Sequence, residues 1–71
     1  MTRSIKNDLK KTLQHLANGD PEYAVEQLDS LLKYSRTLTL DQRKYVEKAK
    51  AEAELGTITE AENIINLFLL S

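Results

Sequence analysis

The chain has 71 residues, 30% of them charged, a net charge of −1, one histidine and no cysteine. A chain this short forms one domain with a thin core. It has no thiol for a disulfide or a thiolate site and too few ligands for a structural zinc. It also lacks the basic surplus usual in nucleic-acid-binding domains, so the fold rests on helix packing, with a partner subunit as a possible supplement.

Two glycines and one proline leave few breaks, and the abundant Ala, Leu, Glu, Lys and Gln are good helix formers. No apolar run reaches bilayer-spanning length. The stretch Met1-Thr2-Arg3-Ser4-Ile5-Lys6 carries no secretory-signal pattern, so a cytoplasmic location without membrane contact is the expectation. Basic residues concentrate in 1–19 and 33–50, acidic ones in 20–32 and 51–71.

The first helix is predicted from about Ser4 to Asn18. Ile5, Leu9, Leu13 and Leu16 recur on one face, with Thr12 beside them. Asn18-Gly19 ends it, since glycine takes the left-handed cap conformation without side-chain penalty. Asp20 then caps a second helix, Pro21 suits its first position, and Glu22 favours its positive end. The predicted inner face is Ala24, Leu28, Leu31 and Ser35, widened by Val25 and Leu32.

Residues 36–39 read as a connector. Thr39 followed by Gln42 is a capping-box pattern, and the third helix presents Gln42, Tyr45, Val46, Ala49 and Ala53 inward before Gly56 stops it. Thr57 with Glu60 reads as a second capping box. Helix four turns Ile58, Ala61, Ile64, Ile65 and Phe68 inward. Leu67, Leu69 and Leu70 carry apolar surface around its last turn.

A repeat of 37 residues relates Gly19 to Gly56, Ala24 to Ala61, Leu28 to Ile65, Leu31 to Phe68 and Leu32 to Leu69. Repetition at this length indicates helical hairpins stacked side by side. The expected fold is all-α: four short helices forming two stacked antiparallel helical hairpins. It occupies one domain over 1–71, with hairpin 1 at about 4–35 and hairpin 2 at about 40–70.

The turns Gly19-Asp20-Pro21-Glu22-Tyr23-Ala24 and Gly56-Thr57-Ile58-Thr59-Glu60-Ala61 resemble the Gly-x-x-x-x-Ala turn of tetratricopeptide repeats. Tyr45 and Ala49 fall where that family prefers an aromatic and a small residue. Aligned on Gly19, the family's core positions in helix one become Asp8, Lys11, Thr12 and His15, with the apolar stripe one residue later. Arg36 stands where a proline would follow. The resemblance implies a protein-binding scaffold.

No catalytic constellation is apparent. His15, the sole histidine, has no nucleophile motif around it, and no phosphate loop, metal motif or dinucleotide fingerprint occurs. Neither a catalytic residue nor a cofactor-binding or metal-binding residue is assigned, and no cofactor is expected. Arg43, Lys44, Lys48 and Lys50 form the best basic cluster, with Arg43 and Glu47 spaced to pair. The last helix carries Thr59, Glu60, Glu62 and Asn63 and no base, which disfavours a DNA-reading helix-turn-helix.

The leading expectation is therefore a non-catalytic protein–protein interaction module, an adaptor or an inhibitor that masks a larger protein. Candidate partner-binding residues are Lys44, Lys48, Leu67, Leu69 and Leu70, with homodimerisation through helix four. The alternative is a small nucleic-acid-associated regulator using the basic face of helices one and three.

Overall fold

A computed structural model describes residues 5–70. Four helices follow in chain order: α1 (Ile5–Ala17), α2 (Pro21–Tyr34), α3 (Leu40–Leu55) and α4 (Ile58–Leu70). There is no strand among the described residues. The predicted starting residue Ser4 lies outside them.

Both hairpin turns are built alike. Gly19 and Gly56 adopt φ of 79° and 83°, the left-handed region. The amide of each glycine donates back to the carbonyl three residues earlier, Leu16 and Ala53. The amide of the next residue donates five back, Asp20 to His15 and Thr57 to Glu52. These paired bonds satisfy carbonyls that the helix end would orphan, and they need one residue with positive φ.

At the helix starts, the Asp20 carboxylate accepts from the Tyr23 amide at 3.4 Å. Thr39 and Gln42 form the full capping box: Gln42 N donates to Thr39 Oγ1 at 3.1 Å and Thr39 N donates to Gln42 Oε1 at 2.9 Å. The second predicted capping box does not form. Thr57 Oγ1 is turned back onto the end of α3, against the carbonyl (2.9 Å) and carboxylate of Glu52. The hydroxyl sits one residue past the glycine, where it donates to the end of α3 instead of accepting from the first turn of α4.

The core is one cluster drawn from all four helices: Leu9, Leu16, Ala24, Leu28 and Leu31 from the first hairpin, and Val46, Ala49, Ala53, Ala61, Ile65 and Phe68 from the second. The 37-residue repeat extends through it. Leu9 corresponds to Val46, Thr12 to Ala49, Leu16 to Ala53, Ala24 to Ala61, Leu28 to Ile65 and Leu31 to Phe68, and all twelve are buried. Asp8 alone is a buried residue with no buried counterpart. The buried Thr12 hydroxyl is satisfied by the carbonyl of Asp8 at 2.9 Å, which removes the cost of sequestering it.

Packing follows the chain, α1 on α2, α2 on α3 and α3 on α4, and α4 also meets α1. The α4–α1 contact is the repeat-related counterpart of the α2–α3 contact, so the two hairpins face each other across an approximate two-fold relation. The ends of the helices distal to the two glycine turns therefore share one pole: the start of α1, the end of α2, the start of α3 and the end of α4.

A β-carbon at either glycine would meet no atom within 4 Å. The effect of Gly19→Ala or Gly56→Ala is then purely torsional, about 1 kcal/mol of lost stability for an L-residue held in the left-handed region. In a domain of this size that corresponds to a fall of roughly 4–8 °C in melting temperature. Thermal melts should show a similar fall for both, and Gly56→Asn should recover part of it.

Candidate functional site

The predicted basic cluster is split by the fold. Arg43 does not pair with Glu47: its Nη2 donates to the carbonyl of Leu32 at 3.0 Å, near the end of α2. Lys50 reaches the same helix, with Nζ 2.9 Å from Oδ1 of Asp29. Lys33 approaches the other carboxylate oxygen at 3.0 Å. Asp29 is thus held between two lysines, and Arg43 and Lys50 clip α3 to α2. Both side chains are long enough to cross a helix interface, and that reach outweighs the neighbours they have along their own helix.

What remains exposed of the cluster is Lys44 and Lys48. They share the outer face of α3 around a shallow depression that also includes Tyr45 and Ala51, and Asp41 and Glu47 line it too. Two cations and two anions there leave no net charge, so the face is mixed rather than basic.

The three leucines separate. Leu69 is half-buried and packs against the core. Leu67 is 52% exposed and Leu70 85%. Their repeat counterparts are Ser30 and Lys33, which are also exposed. The same place in the same frame therefore tolerates polar side chains, and the fold does not require leucine there. Leu40 and Tyr34 are each 80% exposed, at the start of α3 and the end of α2, and so belong to the same pole as Leu67 and Leu70.

At the opposite pole His15 stacks on Tyr23, ring centroids 3.8 Å apart and planes at 31°, with Nδ1 3.8 Å from Asp20 Oδ2. This joins the end of α1 to the start of α2 across the glycine turn, and packing is the role it supports. Among the described residues no group of three or more His, Cys, Asp or Glu side chains could hold a metal ion. No helix among them is long and apolar enough to cross a membrane.

One feature escapes sequence reasoning. Asp8 is buried at 8% exposure and lines a cleft of about 240 Å³ between the start of α1 and the end of α2, together with Ile5, Leu31, Tyr34 and Arg36. A charged residue in a surface helix reads as solvated, although the alignment on Gly19 with the tetratricopeptide turn puts Asp8 and Thr12, both buried, at core positions.

Comparison of the chain with protein-family models, with curated proteins and with solved structures finds no match.

Lys50, and then Lys33, holds the Asp29 carboxyl below its ordinary pKa of 3.8. Asp29 in turn raises Lys50 above 10.5. A depressed carboxyl contributes stability above the unfolded pKa and loses it as pH falls through the folded one; a raised amine loses its share as pH rises through its folded value. Asp29→Asn should therefore lower the melting temperature near neutral pH. The gap to the parent should close as the pH drops below 3.8 and narrow again above 10.5. Melting curves of both proteins across that range are the check, and a gap independent of pH would assign Asp29 a purely steric role.

Proposed function

We propose that this chain is a non-catalytic protein–protein interaction module, an adaptor or a masking inhibitor, that works through the apolar pole of its second hairpin. The observation that carries this reading is the exposure of Leu67 and Leu70 at positions where the first hairpin has Ser30 and Lys33. Scattered single leucines are ordinary on a surface. Two on successive turns of one helix, at the pole that also exposes Leu40 and Tyr34, concentrate apolar surface of the kind that marks contact sites. Burying one leucine fully contributes roughly 1.5–3 kcal/mol, so a few residues are enough to hold a partner.

The nearest available partner is a second copy, and a two-fold dimer through α4 is the simplest closed arrangement. Hairpins with a tetratricopeptide-like turn are suited to such work, because each stacks one apolar face on a neighbour and turns the other outward. A nucleic-acid-associated regulator, the alternative, would need Lys6, Lys10 and Lys11 of α1 to form one face with Lys44 and Lys48 of α3, yet the main contacts of α1 are with α2 and α4 and not with α3. Arg43 and Lys50 are engaged with α2, and acids interleave with the remainder.

The repeat supplies the test. The double variant Leu67→Ser, Leu70→Lys places the first hairpin's residues at the equivalent sites of the second. At dilutions where the parent is also monomeric it should melt within about 0.5 kcal/mol of the parent, as exposed substitutions do; where the parent is dimeric, only the parent gains stability with concentration. Light scattering should show a parent dimer at high micromolar concentration and a monomeric variant. A well-folded parent that stays monomeric there removes the homodimer and leaves the pole for a foreign partner. Lys44→Glu with Lys48→Glu should leave the melting temperature equally unmoved and weaken capture of an acidic partner; loss of fold would show these lysines to be structural.

A further inference from the structure

The two hairpins share a backbone plan and a core, but they do not fill it equally. In the second, Tyr45 and Phe68 stand where the first has Asp8 and Leu31, and Ile64 stands in place of Gln27. Phe68 is buried, and Tyr45 and Ile64 pack against the core. The first hairpin thus lacks two aromatic rings in the same place, and there the cleft of about 240 Å³ opens. Its walls include Ile5 and Leu31, with Tyr34 and Arg36 at the rim. Tyr34 is largely exposed, and Arg36, also exposed, takes part in no ion pair among the described residues.

We propose that this cleft binds an aromatic side chain of a partner, on a segment that also places a carboxylate beside the Arg36 guanidinium. The second hairpin supplies the shape argument: at the positions equivalent to Asp8 and Leu31 it packs the rings of Tyr45 and Phe68 against the core, so a ring brought from outside would give the first hairpin what the second already has. Aromatic anchors set in pockets dominate interface energetics because one rigid group buries a large area. Arg36 supplies the charge argument. A planar guanidinium suits bidentate binding of a carboxylate, and Asp8, the acid among the cleft's lining residues, is buried while Arg36 faces outward. The proposal rests on reading the chain as an interaction module, but it assigns a site on the first hairpin that does not include Leu67 or Leu70, with Tyr34 at its rim.

The probe is N-acetylphenylalanine, titrated into isotope-labelled protein and followed by amide chemical shifts, with N-acetylphenylalaninamide as the uncharged control. Saturable shifts should centre on Ser30, Leu31 and Thr37, and the amide should bind several-fold more weakly. Leu31→Phe copies Phe68 into the cleft and should abolish the shifts. Gln27→Ile copies Ile64, replaces a half-buried cleft-lining residue, and should reduce them if the larger ring disturbs folding in the first variant. Arg36→Gln should remove the preference for the acid over the amide. The proposal is overturned by an absence of saturable shifts in the parent, by shifts centred elsewhere, or by unchanged binding in a folded Leu31→Phe or Gln27→Ile variant. Self-association through Leu67 and Leu70 is read on the same samples, so either site can fail without the other.

Discussion

Everything in this small bundle depends on the close crossing of helices just beyond each left-handed glycine. Ala24 and Ala61 are completely buried one turn into their helices, at the place where a larger side chain would hold the two helices of a hairpin apart. The glycine reverses the chain in two or three residues, the cap bonds fix the angle, and the alanine lets the helices meet. With no disulfide and no metal cluster among the described residues, a chain of this length must bury a high fraction of its apolar surface. Close approach is the way to do so. Larger residues, Leu28 and Ile65 followed by Leu31 and Phe68, then fill the space as each hairpin widens away from its turn.

The two contacts that join the hairpins are related by the repeat but differ in chemistry. Between α2 and α3, Arg43 binds the Leu32 carbonyl and Lys50 binds Asp29. At the corresponding place between α4 and α1 stand Lys6, Leu69, Leu13 and Asn66, with Leu13 where the second hairpin has Lys50. One side is therefore clipped by polar bonds that fix register. On the other, Leu13 and Leu69 pack against the core, and apolar contact is not directional.

Much of this frame is legible in the sequence because the signals are local. Asp20-Pro21, Thr39 with Gln42, and each glycine act on amides and carbonyls within five residues, so the residue types suffice to place helix ends. The failures come where a long side chain or a tertiary neighbour decides. Thr57 and Glu60 have the spacing of a capping box, but the hydroxyl bonds to Glu52 at the end of α3. Arg43 has Glu47 four residues on, yet α2 offers a carbonyl across the interface. The burial of Asp8 and the cleft beside it are not encoded at any one position. They follow from Leu31 and Gln27 being smaller or more polar than Phe68 and Ile64, a comparison that has meaning only once the hairpins are seen to share a frame.

That shared frame also separates residues kept for folding from residues free to do something else. Where both hairpins bury a residue at the same position, packing explains it: Leu9 with Val46, Leu16 with Ala53, Leu28 with Ile65. Where the copies diverge at an exposed position, packing explains neither. Ser30 against Leu67 and Lys33 against Leu70 are such positions, and in each the second hairpin has the side chain that water favours less. An exposed leucine gains nothing in the isolated chain and adds a liability to aggregate, so packing within the bundle does not account for leucine at either position. Asp8 and Leu31 diverge in the opposite sense, with the first hairpin leaving space the second fills. One pole of one small bundle thus carries exposed leucines on its second hairpin and an open cleft on its first, and both departures from the shared frame lie at the ends of the helices distal to the glycine turns.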